Sequence, residues 1–388
     1  MQFAFTEDQN LIRETAREFL TERAGLAQLR RDFARPEGHD PALWQAITRE
    51  LGWAGIALPE SVGGSGLGMV ELAILLEEQG RCLYGGPFLA SAGFASALLL
   101  EAPASDARDA ILARLASGEA IAAAAFTGES GLAGRDAVQV ELVDGEHGPV
   151  LVGLSSFVLN GPVADIFVVA ARDRRAGRDG MALLAVSADS PALTVTRLAA
   201  MDLTRPYARL ESRHVTPAAV LADGDGHTVE RGVQVAQIAL AAEQLGAMQA
   251  ALDLTAGYAA QRVQFGRVIG SFQAIKHRLA DMMVICEAAR SAVYYAACVV
   301  DEYRADPAGV AAELAEAAAL AKVYCSSGFH DVAGNAIQLH GGIGFTWEYD
   351  AHLYFKRARA TSNLLGSPQH HREQIARLIG LDARAEAP

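Results

Sequence analysis

At 388 residues the chain is too long for one simple core, so two or three domains are expected. With 51% hydrophobic and 20% charged residues it has the composition of a folded soluble protein. A net charge of -13 argues against nucleic acid or an anionic membrane surface as a partner, since both call for a basic face.

The opening "MQFAFTEDQNLIRETAREFL" lacks the basic start of a signal peptide, and acidic residues interrupt its apolar positions. No uninterrupted apolar run approaches the roughly 20 residues of a membrane span. Cys82, Cys286, Cys298 and Cys325 show no CxxC spacing and read as thiols of a reducing compartment. A cytoplasmic protein is expected.

Thr6 predicts an N-cap for a helix to about Glu22, with Phe5 as a staple before it and Leu11, Ile12, Ala16, Phe19 and Leu20 on one apolar face. A second helix starts at Pro41, "PESVGGSGLG" is a glycine-rich loop, and "MVELAILLEEQGRCL" and "PFLASAGFASALLLEA" read as buried helices. Near Ala120 the texture turns β-like, with "VQVELV", "PVLVGLSSFVLNG", "DIFVVAAR", "MALLAVSA", "LTVTRL" and "YARLESRHV" separated by turn clusters. From about Gly226 the helical period returns, and segments 228–260, 271–304, 307–335 and 350–379 each predict a long helix of an antiparallel bundle. The expected fold is α+β and mostly α, with domains at 1–120 (helical), 121–225 (β) and 226–388 (helical bundle).

Two stretches carry chemistry. In "AAQRVQFGRVIGSFQAIKHRLADM", Arg262 offers a fork of donors suited to a phosphate or pyrophosphate, Gln264 an amide and Phe265 a flat apolar surface. Gly266 and Gly270 permit a tight connection there. Taken alone, an arginine near a helix end is usually a solvated charge. In "AIQLHGGIGFTWEYDAHLYFKRA", Gly341 and Gly342 let backbone amides approach a ligand closely, and Gln338 donates and accepts. Paired glycines alone more often make a turn; both stretches together, in this order, point to a ligand.

With these motifs, and with "FTEDQNLIRETAREFL" and "LGWAGIALPESVGGSGLG", the chain resembles the FAD-dependent acyl-CoA dehydrogenase family, nearest in texture to bacterial steroid-side-chain and pimeloyl-type members. The resemblance implies an N-terminal helical domain, a middle β domain, a C-terminal four-helix bundle, and a tetramer sharing FAD between neighbouring subunits. It implies FAD contacts from Arg262, Gln264, Phe265 and Gln273, and from Gln338, Gly341 and Gly342 of a neighbour. Ser367 and Gln369 match a polar pair of the family, Thr127 a threonine near the flavin ring, and Phe157 an aromatic residue beside it. Two departures stand out: "TGESGLAGRD" replaces the usual "TEPxAGSD", and Leu159 replaces a threonine.

The reaction that the resemblance implies removes an α-proton from an acyl-CoA thioester to give a trans-2-enoyl-CoA, with electrons passing to an electron-transfer flavoprotein. A carboxylate must take the proton. Counted from Gly341 and Gly342, the usual base falls on Leu365, followed by a matching Gly366; the alternative position on the first bundle helix falls on Ala236. Neither can accept a proton. Glu243, seven residues past Ala236, lies on nearly the same helix face in apolar surroundings. Three readings of it stand open: the base, half of an ion pair across a helix interface, or a substrate contact. A different class of function is a non-catalytic, FAD-holding or scaffolding subunit of a heterotetramer whose partner carries the base; an oxidase or monooxygenase of the same fold is a third. Glu348 reads as structural, and His370 and His371 as no metal site.

Overall fold

The structure is a computed structural model and describes residues 5–132, 136–175, 180–224 and 226–381. Part of "TGESGLAGRD", part of the turn "AGRDG", the boundary residue 225 and nearly all of the terminal "LDARAEAP" lie outside the described residues. Before the first strand come α1 (Glu7–Arg23), α2 (Leu26–Asp32), α3 (Pro41–Gln45), α4 (Met69–Arg81), α5 (Ser96–Glu101) and α6 (Asp106–Ala116). After the sheet come α7 (His227–Gln261), α8 (Gln273–Ala305), α9 (Pro307–His340), α10 (Ala351–Ser362) and α11 (Pro368–Leu378). The chain packs as two compact units, one of residues 1–21, 73–83 and 240–388, the other of 22–72 and 84–239.

The second unit holds a mixed eight-stranded sheet. Its strands are β1 (Ala122–Ala125), β2 (Gln139–Gly145), β3 (Gly148–Leu159), β4 (Ile166–Asp173), β5 (Gly180–Ser187), β6 (Leu193–Arg197), β7 (Tyr207–Val215) and β8 (Ala219–Gly224). The order is β6-β7-β3-β2-β4-β5-β8, with β1 parallel to β4. Alternating residues such as Val140, Leu142, Phe167, Val169, Leu184 and Leu210 form its core. The β3–β7 pairing shifts register between Ser155 and Val158, and Phe157 stands in that irregularity.

The first unit is the bundle of α8 to α11 and the larger part of α7, joined by α1 and the last turns of α4. Thr6 and Gln9 form a reciprocal cap on α1: the Thr6 hydroxyl accepts from Gln9 N–H (3.2 Å), and the Gln9 side chain accepts from Thr6 N–H (3.0 Å). The Phe5 ring meets the edge of Tyr294 at 4.8 Å and the guanidinium of Arg13, on α1 itself, at 4.1 Å. The segment expected as one helix over 350–379 is two. Leu365 (φ 62°) and Gly366 (φ 108°) leave the helical region, and Pro368 then starts α11 with Ser367 as its cap. By length and composition alone α8 could cross a membrane, although Glu287 and Arg290 interrupt it; its buried face (Cys286, Val293, Ala296) packs on α9.

Helices α4 and α7 cross almost backbone to backbone. A Cβ added to Gly246 would lie 1.7 Å from the Glu77 carbonyl oxygen, and one on Gly80 would lie 2.0 Å from that of Glu243. Gly246→Ala must therefore push the helices apart, at about 1–3 kcal/mol. Gly257→Ala, on the same helix with open space around it, adds only helix propensity, about 0.5–1 kcal/mol of stability. Thermal melts should show a lowered Tm for the first variant and an unchanged or raised one for the second.

Candidate functional site

The α7–α8 connection is a minimal hairpin, with Gln264 opposite Arg267 and Val263 opposite Val268. Its two turn residues, Phe265 (φ 53°) and Gly266 (φ 78°), are both left-handed, as a tight hairpin of this kind requires. Glycine fits that geometry; phenylalanine pays about 1–2 kcal/mol for it. The strained ring is nevertheless 91% exposed. Arg262 is exposed and makes no side-chain hydrogen bond or ion pair among the described residues. Gln273 opens α8, whose first N–H groups receive no side-chain cap. The connection therefore brings Arg262, Gln264, Phe265 and Gln273 together beside a helix N-terminus, where an anion is favoured.

At the end of α9, Gly341 (φ 64°) turns the chain, and a Cβ on Gly341 or Gly342 would meet nothing within 4 Å. Their backbone is open to contact, as is the exposed Gln338. His340 anchors the turn from below. Its Nδ1 donates to the Ala336 carbonyl at 2.7 Å, and its ring stacks on Tyr258 at 4.4 Å. Burial lowers its pKa.

The turn between α10 and α11 occupies the expected base position with a leucine that is 1% exposed. His371 Nε2 donates to the Leu365 carbonyl at 2.9 Å, and a Cβ on Gly366 would lie 2.5 Å from the same nitrogen, so only glycine fits there. Burial pushes the His371 pKa down to about 4, so the ring is neutral at pH 7. Ser367 accepts from His370 N–H at 3.2 Å, and exposed Gln369 reaches Glu373 at 3.4 Å.

Glu243 faces Arg357, which the sequence reading did not single out. Arg357 is 1% exposed; its Nη1 lies 3.3 Å from Glu243 Oε1 and its Nη2 donates to the Leu83 carbonyl at 3.0 Å. Of the three readings left open, the ion pair describes this geometry. Beside it runs a buried donor chain: Lys322 Nζ to Ser326 (2.7 Å), Ser326 to Gln244 (3.1 Å), Gln244 to Thr361 (2.9 Å), and Thr361 to the Arg357 carbonyl (2.8 Å). Lys322 has two further carbonyl acceptors, Thr361 and Ser362, but among the described residues no carboxylate partner. A lone lysine in the run "ALAKVYCSS" was a signal available in the sequence.

In the other unit, Thr127 is buried and its hydroxyl donates to the Ser156 carbonyl across the sheet, so that proton is already committed. Phe157 is left-handed (φ 56°) and 39% exposed, while Leu159 is buried. The expected FAD is tested by these observations. Within the first unit, an unpaired Arg262, an uncapped helix start, an open glycine pair and the exposed Phe265 ring fit a group carrying a pyrophosphate and a flat ring. Arg262, Gln264 and Gln273 would hold its phosphates, and Phe265 would offer an apolar surface.

Two measurements check this site. Arg262→Ala is expected to lose bound FAD at least tenfold more readily on dilution, read by flavin absorbance, since a charge-assisted fork is removed. Burial lowers the Lys322 pKa from 10.5 to about 7. Between those values the unfolded chain holds a proton that the folded chain has released, so stability from this group rises with pH across that window. Lys322→Met should remove about 1.4 kcal/mol per pH unit from that slope, measured by urea unfolding at pH 7.5 to 9.

Comparison with known proteins agrees with the geometry. Residues 6–119 match the acyl-CoA dehydrogenase N-terminal domain and residues 224–380 the C-terminal domain. The chain is 37% identical over 372 residues to acyl-CoA dehydrogenase IpdE2 of Mycobacterium tuberculosis, covering 96% of each chain. Among solved structures it is similar to a chain of the ChsE4-ChsE5 complex of Mycobacterium tuberculosis (TM-score 0.87, 29% identity, 100% of both chains). It is also similar to the Tcur3481-Tcur3483 steroid ACAD (TM-score 0.86, 30% identity, 98% of this chain and 99% of that one). The chain belongs to the acyl-CoA dehydrogenase family, whose members are FAD-dependent oxidoreductases.

Proposed function

We propose that this chain is the FAD-holding subunit of a heteromeric acyl-CoA dehydrogenase, with the proton-abstracting carboxylate supplied by a related partner chain. The complex forms a trans-2-enoyl-CoA and passes electrons to an electron-transfer flavoprotein, in the cytoplasm. One observation carries the reading: among the described residues, none of the three candidate positions offers a free carboxylate. Leu365 and Ala236 are aliphatic and buried, and Glu243 already accepts from a buried guanidinium. Protonating Glu243 would break that pair, and breaking a buried pair costs about 3–5 kcal/mol.

When bound, FAD supplies the acceptor for the hydride from the thioester's β-carbon. This chain's part is to grip the phosphates through Arg262 and the α8 start, and to keep the Leu365 turn closed to water. Two-chain names among the similar structures support a partner subunit, and the steroid ACAD makes a steroid-derived acyl-CoA the first substrate to try. The second reading, a homomeric enzyme with Glu243 as base, draws on its burial among apolar residues of α7.

Anaerobic rapid mixing separates the two. On the proposal, the purified chain does not reduce its flavin with acyl-CoA until the partner is added, and light scattering then gives a mixed oligomer. Glu243→Gln should chiefly lower the Tm. Flavin reduction by the chain alone, slowed about a hundred- to ten-thousand-fold by Glu243→Gln, would show Glu243 to be the base and end the proposal.

A further inference from the structure

Away from those surfaces, α1, α4, α7 and α8 surround an open cavity of about 400 Å³. Its walls are four arginines (Arg13, Arg17, Arg81, Arg290), two carboxylates (Glu77, Asp253) and Gln249. Four positive and two negative charges give the walls a net +2; the adjoining Glu78 and Glu287 bring the neighbourhood to neutral, on a chain whose overall charge is -13.

The guanidiniums are not exhausted by their neighbours. Each carries five N–H donors. Arg81 makes one hydrogen bond, to Asp253 at 2.7 Å. Arg17 makes two, both to Glu78, at 3.0 and 2.6 Å. Arg13 uses only Nη2, toward Tyr294 at 2.9 Å and Glu77 at 3.5 Å. Its buried Nε has no hydrogen-bond partner, with Glu78 Oε1 4.0 Å away. Arg290, in contrast, is occupied by Glu77, Glu287 and Gln249.

We propose that this cavity binds a compact oxyanion bearing two or more negative charges, gripped by Arg13, Arg17 and Arg81. Guanidinium forks match phosphate and carboxylate oxygens alike. None of the seven lining residues is aromatic, which favours a small anion over a nucleotide. By bridging α1 to α4, it fastens the N-terminal helix to the bundle.

The test is isothermal titration calorimetry of the FAD-loaded full chain with sodium pyrophosphate and, separately, sodium succinate, at constant ionic strength. Sodium chloride is the screening control. Saturable binding of one anion per chain is expected, with Kd below about 1 mM. Arg17→Gln combined with Arg81→Gln should weaken it at least tenfold. Gln249→Glu keeps the oxygen that accepts from Arg290 but adds a negative wall charge, and should weaken it as much; it serves where the double variant fails to fold, with flavin retention as the fold check. Binding by pyrophosphate alone or succinate alone supports the site and names its class. Heats no larger than with chloride for both anions, or undiminished affinity in the folded variants, overturn it.

Discussion

A guanidinium with almost no access to water organises the first unit. Arg357 touches the Glu243 carboxylate with one nitrogen and the Leu83 carbonyl with another, while the neighbouring Tyr354 hydroxyl donates to the Arg81 carbonyl at 2.7 Å. Two side chains of α10 thereby satisfy the carbonyls at the C-terminal end of α4, which no helix partner can reach. The same α4 lies against α7 at the mutual approach of Gly80 and Gly246, so the pair and the crossing hold one another in place. A buried charge can be kept only when it is paired and hydrogen-bonded, and this one is.

That arrangement explains why a carboxylate survives on an apolar helix. Glu243 holds Arg357 in place, Arg357 holds the α4 terminus, and α4 carries Glu77 and Glu78 toward the arginines of α1. Stability and chemistry compete for the same side chain. A base must be free to take a proton and return it; a structural carboxylate must keep its partner.

Much of this was legible in the sequence, and the misses have physical causes. The Thr6 cap, the long bundle helices and the strand runs follow from periodicity and capping, which are local. The glycine pair at 341–342 and the Arg262 connection announce themselves because glycine and arginine do distinctive things to a backbone and a phosphate. Arg357 was hidden because it stands in "FKRARA", a basic cluster with the look of a solvated face; burial of one member of such a cluster is decided by distant packing. The break at Leu365 was missed because a leucine in the left-handed region leaves no mark on periodicity. Tertiary contacts from His371 impose it.

The Leu365 turn carries a consequence for how such a chain changes over generations. Its side chain is closed off from water, and its carbonyl is held by a neutral imidazole that fits only because Gly366 has no side chain. A glutamate at that position would carry a longer, charged side chain into a place closed to water, and a buried charge is costly unless it is paired and hydrogen-bonded. One codon therefore does not suffice to place a working base there. Once packing has closed over a position, a new chemistry there asks for several substitutions at once.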